Sequence, residues 1–216
     1  AAADASGSWA TNTTFVSKPA TLSISVAGNS GTEGSGSGFT PAGTDFTVTV
    51  EAKNTDGVNT PNFGQESTPV VPTLSWSWEY PVTAILTDSD FSRTTYSTNG
   101  TTDGSGSITG NFRKVGTIAI TAVIPGNDYL AAGDILNRPL LNVGRFYPNA
   151  FELTNNAGAT PSVLDACSSS GFTYFDESAV DIDYKITAKN ALGDAISNYD
   201  AASGYGVATV SIGVES

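Results

Sequence analysis

The chain has no histidine, so a nucleophile activated by an imidazole base is excluded at the outset. A serine paired with lysine is the remaining nucleophile chemistry, and the lysines are few: Lys18, Lys53, Lys114, Lys185 and Lys189. Two carboxylate pairs come next, Asp88 and Asp90 around Ser89, and Asp181 and Asp183 around Ile182. On a strand, residues two apart share a face. Glycoside hydrolysis needs two carboxyls about 5–10 Å apart, one of them with a raised pKa. Two exposed acids on one strand face read instead as solvated surface. No catalytic residue is assigned, no cofactor motif is present, and the chain reads as non-enzymatic.

Binding chemistry has two candidates. Calcium needs six to eight oxygen ligands, and Asp56, Asp128, Asp134 and Asp165 are the acids expected near a junction between modules. No EF-hand loop supports them, so calcium stays an option without an assigned metal site. The second candidate is aromatic. Leu74-Ser75-Trp76-Ser77-Trp78 alternates, which puts both indoles on one face with Tyr80 beyond them. Exposed, Trp76, Trp78 and Tyr80 would stack on sugar rings; turned inward, they would fill a core. The polar opposite face, Ser75, Ser77 and Glu79, favours the inward orientation. The Ser- and Thr-rich faces lack the regular array that binding to ice or crystals would need.

The elements that must position these residues are strands. The pattern AKN-x-x-G-x-x-x-x-N-aromatic occurs twice, as Ala52-Lys53-Asn54, Gly57, Asn62, Phe63 and as Ala188-Lys189-Asn190, Gly193, Asn198, Tyr199. The offset is constant, 188 − 52 = 136. An apolar alternation precedes each copy, Phe46, Val48, Val50 and then Ile182, Tyr184, Ile186. Lys53 and Lys189 fall at equivalent places in this repeat, which gives both a structural role.

Other segments fill in the same picture. Thr14 to Val26 reads as an edge strand because of its proline. Ala27 to Gly38 is a Gly/Ser-rich loop. Ser92 to Gly110 is polar and turn-rich, and reads as a long exposed loop or loose hairpin. Gly116 to Ile124 is a buried strand, Phe151 to Thr154 resembles the first strand of module one, Phe172 to Phe175 is an added strand or a short hairpin arm, and Gly206 to Ile212 supplies one more strand. No apolar period of 3.6 residues persists over three turns. The fold class is therefore all-β, tandem immunoglobulin-like β-sandwich modules, the second partial or smaller. Residues 1–14 form an extended N-terminal segment, 15–142 the first module and 143–216 a second one, incomplete relative to the first. Residues 1–14 are the segment expected to be donated to a neighbour's open sheet.

The net charge is −12. Nucleic acid and anionic lipid are disfavoured as partners, because both are bound through Lys and Arg; the acidity suits solubility outside the cell. The one cysteine, Cys167, cannot form an intrachain disulfide. The opening AAADASGSWA lacks the features of an intact signal peptide, and the missing Met implies a chain cut from a longer precursor. No stretch approaches the roughly 20 apolar residues that span a bilayer.

The run Val143-Gly144-Arg145-Phe146-Tyr147-Pro148-Asn149-Ala150-Phe151 resembles a VGRF-aromatic-P-x-x-F signature. Similarity continues through Ala166-Cys167, Phe172-Thr173-Tyr174, Ile186 to Ala191 with Gly193, and Asn198-Tyr199, and upstream through Asn59 to Gly64 and Asn127 to Leu130. Together these resemble the C-terminal domain family of MshQ-like proteins, which are encoded with MSHA type IV pili. The resemblance covers roughly residues 40 to 200. The family pattern carries Met-Gly after Phe-Thr-Tyr, where this chain has Phe175-Asp176. The resemblance implies export from a bacterium, surface exposure and association with a pilus or other appendage. The expected function is that of a non-enzymatic extracellular structural or adhesive module; the alternative is a carbohydrate-binding module. Expected partners are other copies of the chain or other appendage proteins, and glycans on the alternative reading.

Overall fold

Period-two burial organises the chain. A computed structural model describes residues 16–29, 31, 37–80, 87–155 and 184–199. Its strands are β1 (Thr21–Val26), β2 (Thr40–Pro41), β3 (Asp45–Lys53), β4 (Thr73–Tyr80), β5 (Phe91–Arg93), β6 (Ser105–Phe112), β7 (Gly116–Val123), β8 (Leu136–Asn137), β9 (Leu140–Tyr147), β10 (Ala150–Asn155) and β11 (Tyr184–Lys189). Among the described residues the only helical turns are 3-10, at Asp88–Asp90 and Pro125–Asn127, and no helix is long and apolar enough to cross a membrane. The protein is all-β, as its strand patterns predict.

Two sheets face each other. One has the order β5-β6-β3-β1-β8, the other β2-β9-β7-β4. β3 buries Phe46, Val48, Val50 and Ala52 and turns Asp45, Thr47, Thr49 and Glu51 outward. β7 is buried along nearly its whole length, as expected of a strand flanked on both sides by β4 and β9. Between the sheets Phe46, Phe112 and Phe146 touch, with ring centroids 5.0–5.3 Å apart about Phe146, and Leu22, Leu74, Ile108, Ile118 and Ile120 close the core around them. Burying side chains of this size contributes roughly 1.5–3 kcal/mol each.

One expectation changes and one alternative is settled. β1 is not a bare edge: β3 pairs along all of it, and β8 pairs in parallel with Thr21 and Leu22. Pro19 stays outside the strand, where its missing N–H costs no ladder bond. Of the two readings of 92–110, long loop or loose hairpin, the hairpin holds: β5 pairs with β6 from Phe91 to Arg93, and β6 also pairs with β3 from Asp45 to Glu51. The strand signal of β6 is weak because two of its inward positions are glycines. Gly106 lies under the Tyr96 ring, where a Cβ would fall 2.4 Å from Tyr96 Cζ. Gly110 lies under Phe46 and Phe91. The apolar surface of these positions comes from other segments, so the strand carries no apolar alternation of its own.

β9 runs continuously through 142–143, where the sequence places the division between modules, and its Val143 and Phe146 are core residues of the sandwich. Only Pro148 and Asn149 separate it from β10. β10 and β11 form the described part of the second copy, with Ala150 opposite Lys189 and Phe151 opposite Ala188. This is the register of β1 on β3, where Thr21 faces Lys53 and Leu22 faces Ala52. The two copies thus share pairing as well as sequence. Residues 1–14, Cys167, Asp165, Asp181, Asp183, Phe172 to Phe175 and Gly206 to Ile212 lie outside the described residues.

Candidate functional site

The aromatic candidates sit on β4. Trp76 and Trp78 share the inward face with Leu74. Trp76 lies 6.0 Å from Phe91 and 5.8 Å from Phe112, and Trp78 lies 5.9 Å from Phe112. Both indoles are partly exposed at the margin of the core, while Tyr80 is half-buried at the strand's end, past a register shift. Trp76 Nε1 donates to Asp88 Oδ1 at 3.3 Å.

Asp88 and Asp90 stand on a 3-10 turn, not on the expected strand. The Thr87 N–H donates to Asp90 Oδ2 at 2.8 Å, and Lys114 Nζ lies 3.6 Å from Asp90 Oδ1. Both acids are therefore committed to local structure. Asp128 and Asp134 accept from the Gly133 and Ile135 N–H groups, and Asp56 lies in the turn after β3. Among the described residues no three acidic, histidine or cysteine side chains converge.

The most built site comes from the repeated motif. In copy one the Asn54 side chain accepts from the Asp56 and Val58 N–H groups, both at 2.9 Å. In copy two Asn190 accepts from the Leu192 and Asp194 N–H groups, both at 2.9 Å. Asparagine suits this place because its short amide satisfies turn amides two and four residues on. Gly57 and Gly193 hold φ of 78° and 86°, a conformation that favours glycine. The chain then returns to the strand: Thr60 N–H donates to Ala52 O, and Ile196 N–H to Ala188 O.

The copies differ in what lies against this turn. In copy two, Asn198 is 5% exposed. Its Nδ2 donates to Val115 O at 2.8 Å, and its Oδ1 accepts from Val115 N–H at 3.2 Å. Val115 connects β6 to β7 of the sandwich, so a single amide closes both backbone groups of a buried residue in the other module. Ala191 N–H donates to Ala42 O at 2.7 Å, and Lys114 Nζ to Ser197 Oγ at 2.8 Å. Gly43 lies against the same turn, where a Cβ would fall 3.3 Å from Asn190 Cβ. Ala188 and Ile196 join the sandwich's apolar cluster, and Tyr199 packs on it. A cleft lined by Gly38, Arg145, Tyr147, Pro148 and Tyr199 opens beside this junction. The sequence contains the signal, an asparagine repeated without a place in strand periodicity, but not the surface that it meets.

In copy one, Phe63 is buried and stacks on Tyr129 at 5.8 Å. The Tyr129 hydroxyl donates to Glu66. Burial, then this hydrogen bond and the Glu66 charge, push the Tyr129 phenol well above its usual range. Burial, then the charges of Asp103 and Glu66, push the Tyr96 phenol up to about 12. The Asp103 carboxyl is held below its usual range chiefly by the Ser105 hydroxyl and N–H.

Residues 18–109 match the second domain of DUF6701, and residues 114–213 match its third domain. No curated protein matches the chain. The structure of FdeC, a broadly conserved Escherichia coli adhesin eliciting protection against urinary tract infections, is similar at a TM-score of 0.39 and 16% identity, over 85% of this chain and 45% of that one. The chain thus spans under half the length of that protein.

Proposed function

We propose, from the premise that the chain carries the second and third domains of the DUF6701 family, that it is a non-enzymatic extracellular structural and adhesive module of a bacterial surface appendage. The observation that carries this reading is the junction. The two copies are joined by two residues, Pro148 and Asn149, and are closed by the buried Asn198–Val115 pair. Connections between independently moving domains are longer and cross few contacts; this one fixes its modules against each other. Such a connection suits a spacer that holds a binding surface away from a cell. The tie to a type IV pilus comes from the VGRFYPNAF run and the motifs around it. The reading needs no cofactor, and its partners are other appendage subunits.

Immunogold labelling of the producing bacterium is expected to place the protein on surface appendages, and deletion of its coding sequence to weaken attachment. Label confined to the cell interior would sink the proposal. A second reading, carbohydrate binding, draws support from Trp76, whose partly exposed indole donates to Asp88 at the surface. Trp76→Ala separates the two: lost glycan binding at an unchanged Tm supports the second reading, while a lowered Tm without any glycan affinity supports the first.

A further inference from the structure

We infer that the motif turn of copy one is a docking face for another sandwich module, one that contains the first domain of the family, seated as the sandwich is seated on copy two. Three positions carry the argument, each paired at the repeat offset. Asn190, Ile196 and Asn198 are buried at 3%, 6% and 5% exposure. Their counterparts Asn54 and Thr60 are only partly buried, and Asn62 is exposed. Asn198 satisfies both backbone groups of Val115, whereas the Asn62 side chain has no partner among the described residues. Ala191 N–H donates to Ala42 O; the N–H of its counterpart Thr55 likewise has no partner among the described residues. Copy one therefore presents the same donors and acceptor, in the same turn, with no such opposing surface among the described residues.

The direction of the chain selects the occupant. Pro148-Asn149 leads from β9 into the second copy, and Asn149 N–H donates to Lys189 O at 2.8 Å. Pro19-Ala20 leads into β1, and Ala20 N–H donates to Lys53 O at 2.8 Å. The chain thus reaches both copies through the same proline and the same bond. A module ahead of Pro19 would arrive where the sandwich arrives ahead of Pro148, against Asn54, Thr60 and Asn62. The matched domains are the second and third, and in that order a first precedes them. A second copy of this chain fits less well, because its own Ala42 and Val115 corner is already occupied by its Asn198 turn. The occupant must offer a carbonyl placed like that of Ala42 and an unpaired strand-end residue like Val115.

This inference extends the reading of the chain as a series of docked modules, and amide exchange distinguishes the two. The polypeptide in which the first domain precedes this whole chain is compared with the chain alone. The Thr55 amide is expected to exchange at least about tenfold more slowly in the longer polypeptide, as protection follows burial and bonding. Asn62→Ala should restore fast exchange there while leaving the Tm of the chain alone unchanged. Equal Thr55 exchange in both polypeptides overturns the inference, as does protection that survives Asn62→Ala. Concentration-dependent protection in the chain alone would assign the face to a second copy and overturn it too. The Ala191 amide reports on the existing junction throughout, so its protection tests the parent reading separately.

Discussion

Tyr96 places a buried hydroxyl over Gly106, with no hydrogen-bond partner among the described residues. A buried unpaired hydroxyl costs free energy, and replacing it with hydrogen relieves that cost. Tyr96→Phe is therefore expected to leave stability at pH 7 unchanged or raised by about 1 kcal/mol. Its larger effect belongs to high pH. The unfolded phenol ionises near 10.0, but the folded one only at about 12. Stability from this group is complete below the lower value and is lost as pH rises through the higher one. Thermal melts between pH 9 and 12 should show a shallower alkaline decline for Tyr96→Phe than for the parent; parallel declines would refute the assignment. Gly106→Ala has the opposite sign, because its Cβ would lie 2.4 Å from Tyr96 Cζ. Overpacking of this kind costs about 1–3 kcal/mol, to be read as a lower midpoint in urea.

At the scale of elements, the two motif turns allow a matched comparison. Asn54→Ala and Asn190→Ala remove the same pair of bonds to turn amides. Asn190 is buried against Gly43 and Asn54 is not. The bonds of Asn190 are partly buried and those of Asn54 exposed, and an amide left unpaired costs more the less water reaches it. Asn190→Ala should thus lower the Tm more than Asn54→Ala does. The same contrast explains what the sequence reveals. β3 is legible because each of its inward residues is itself apolar, and its register with β1 recurs between β11 and β10. β6 is legible only as one arm of a loose hairpin, because Gly106 and Gly110 contribute space and let Tyr96, Phe46 and Phe91 fill it. The indole pair on β4 is legible as a face, but not how far it is covered, since Phe91 and Phe112 come from distant segments. The junction is half legible: Asn62 and Asn198 read alike, and only the neighbour decides which is buried.

Across the whole molecule, coupling between the copies runs through Asn198. Asn198→Ala leaves Val115 N–H and C=O buried without partners, at about 1–3 kcal/mol for each group. The expected outcome is faster local motion of the second copy, seen as lower order parameters for residues 184–199 while those of β3 and β7 stay unchanged. Uniform loss of order would instead mean that the junction is part of one indivisible core. The sheet order has one further consequence. The two family matches meet between residues 109 and 114, in the interior of the sandwich, from within β6 to the turn before β7. What is inherited as a unit is thus not what folds as a unit: residues 114–213 take β7 and β9 from the sandwich and leave β4 behind. Cutting the gene at the inherited seam should yield insoluble fragments, whereas cutting after Tyr147 should yield a soluble first half.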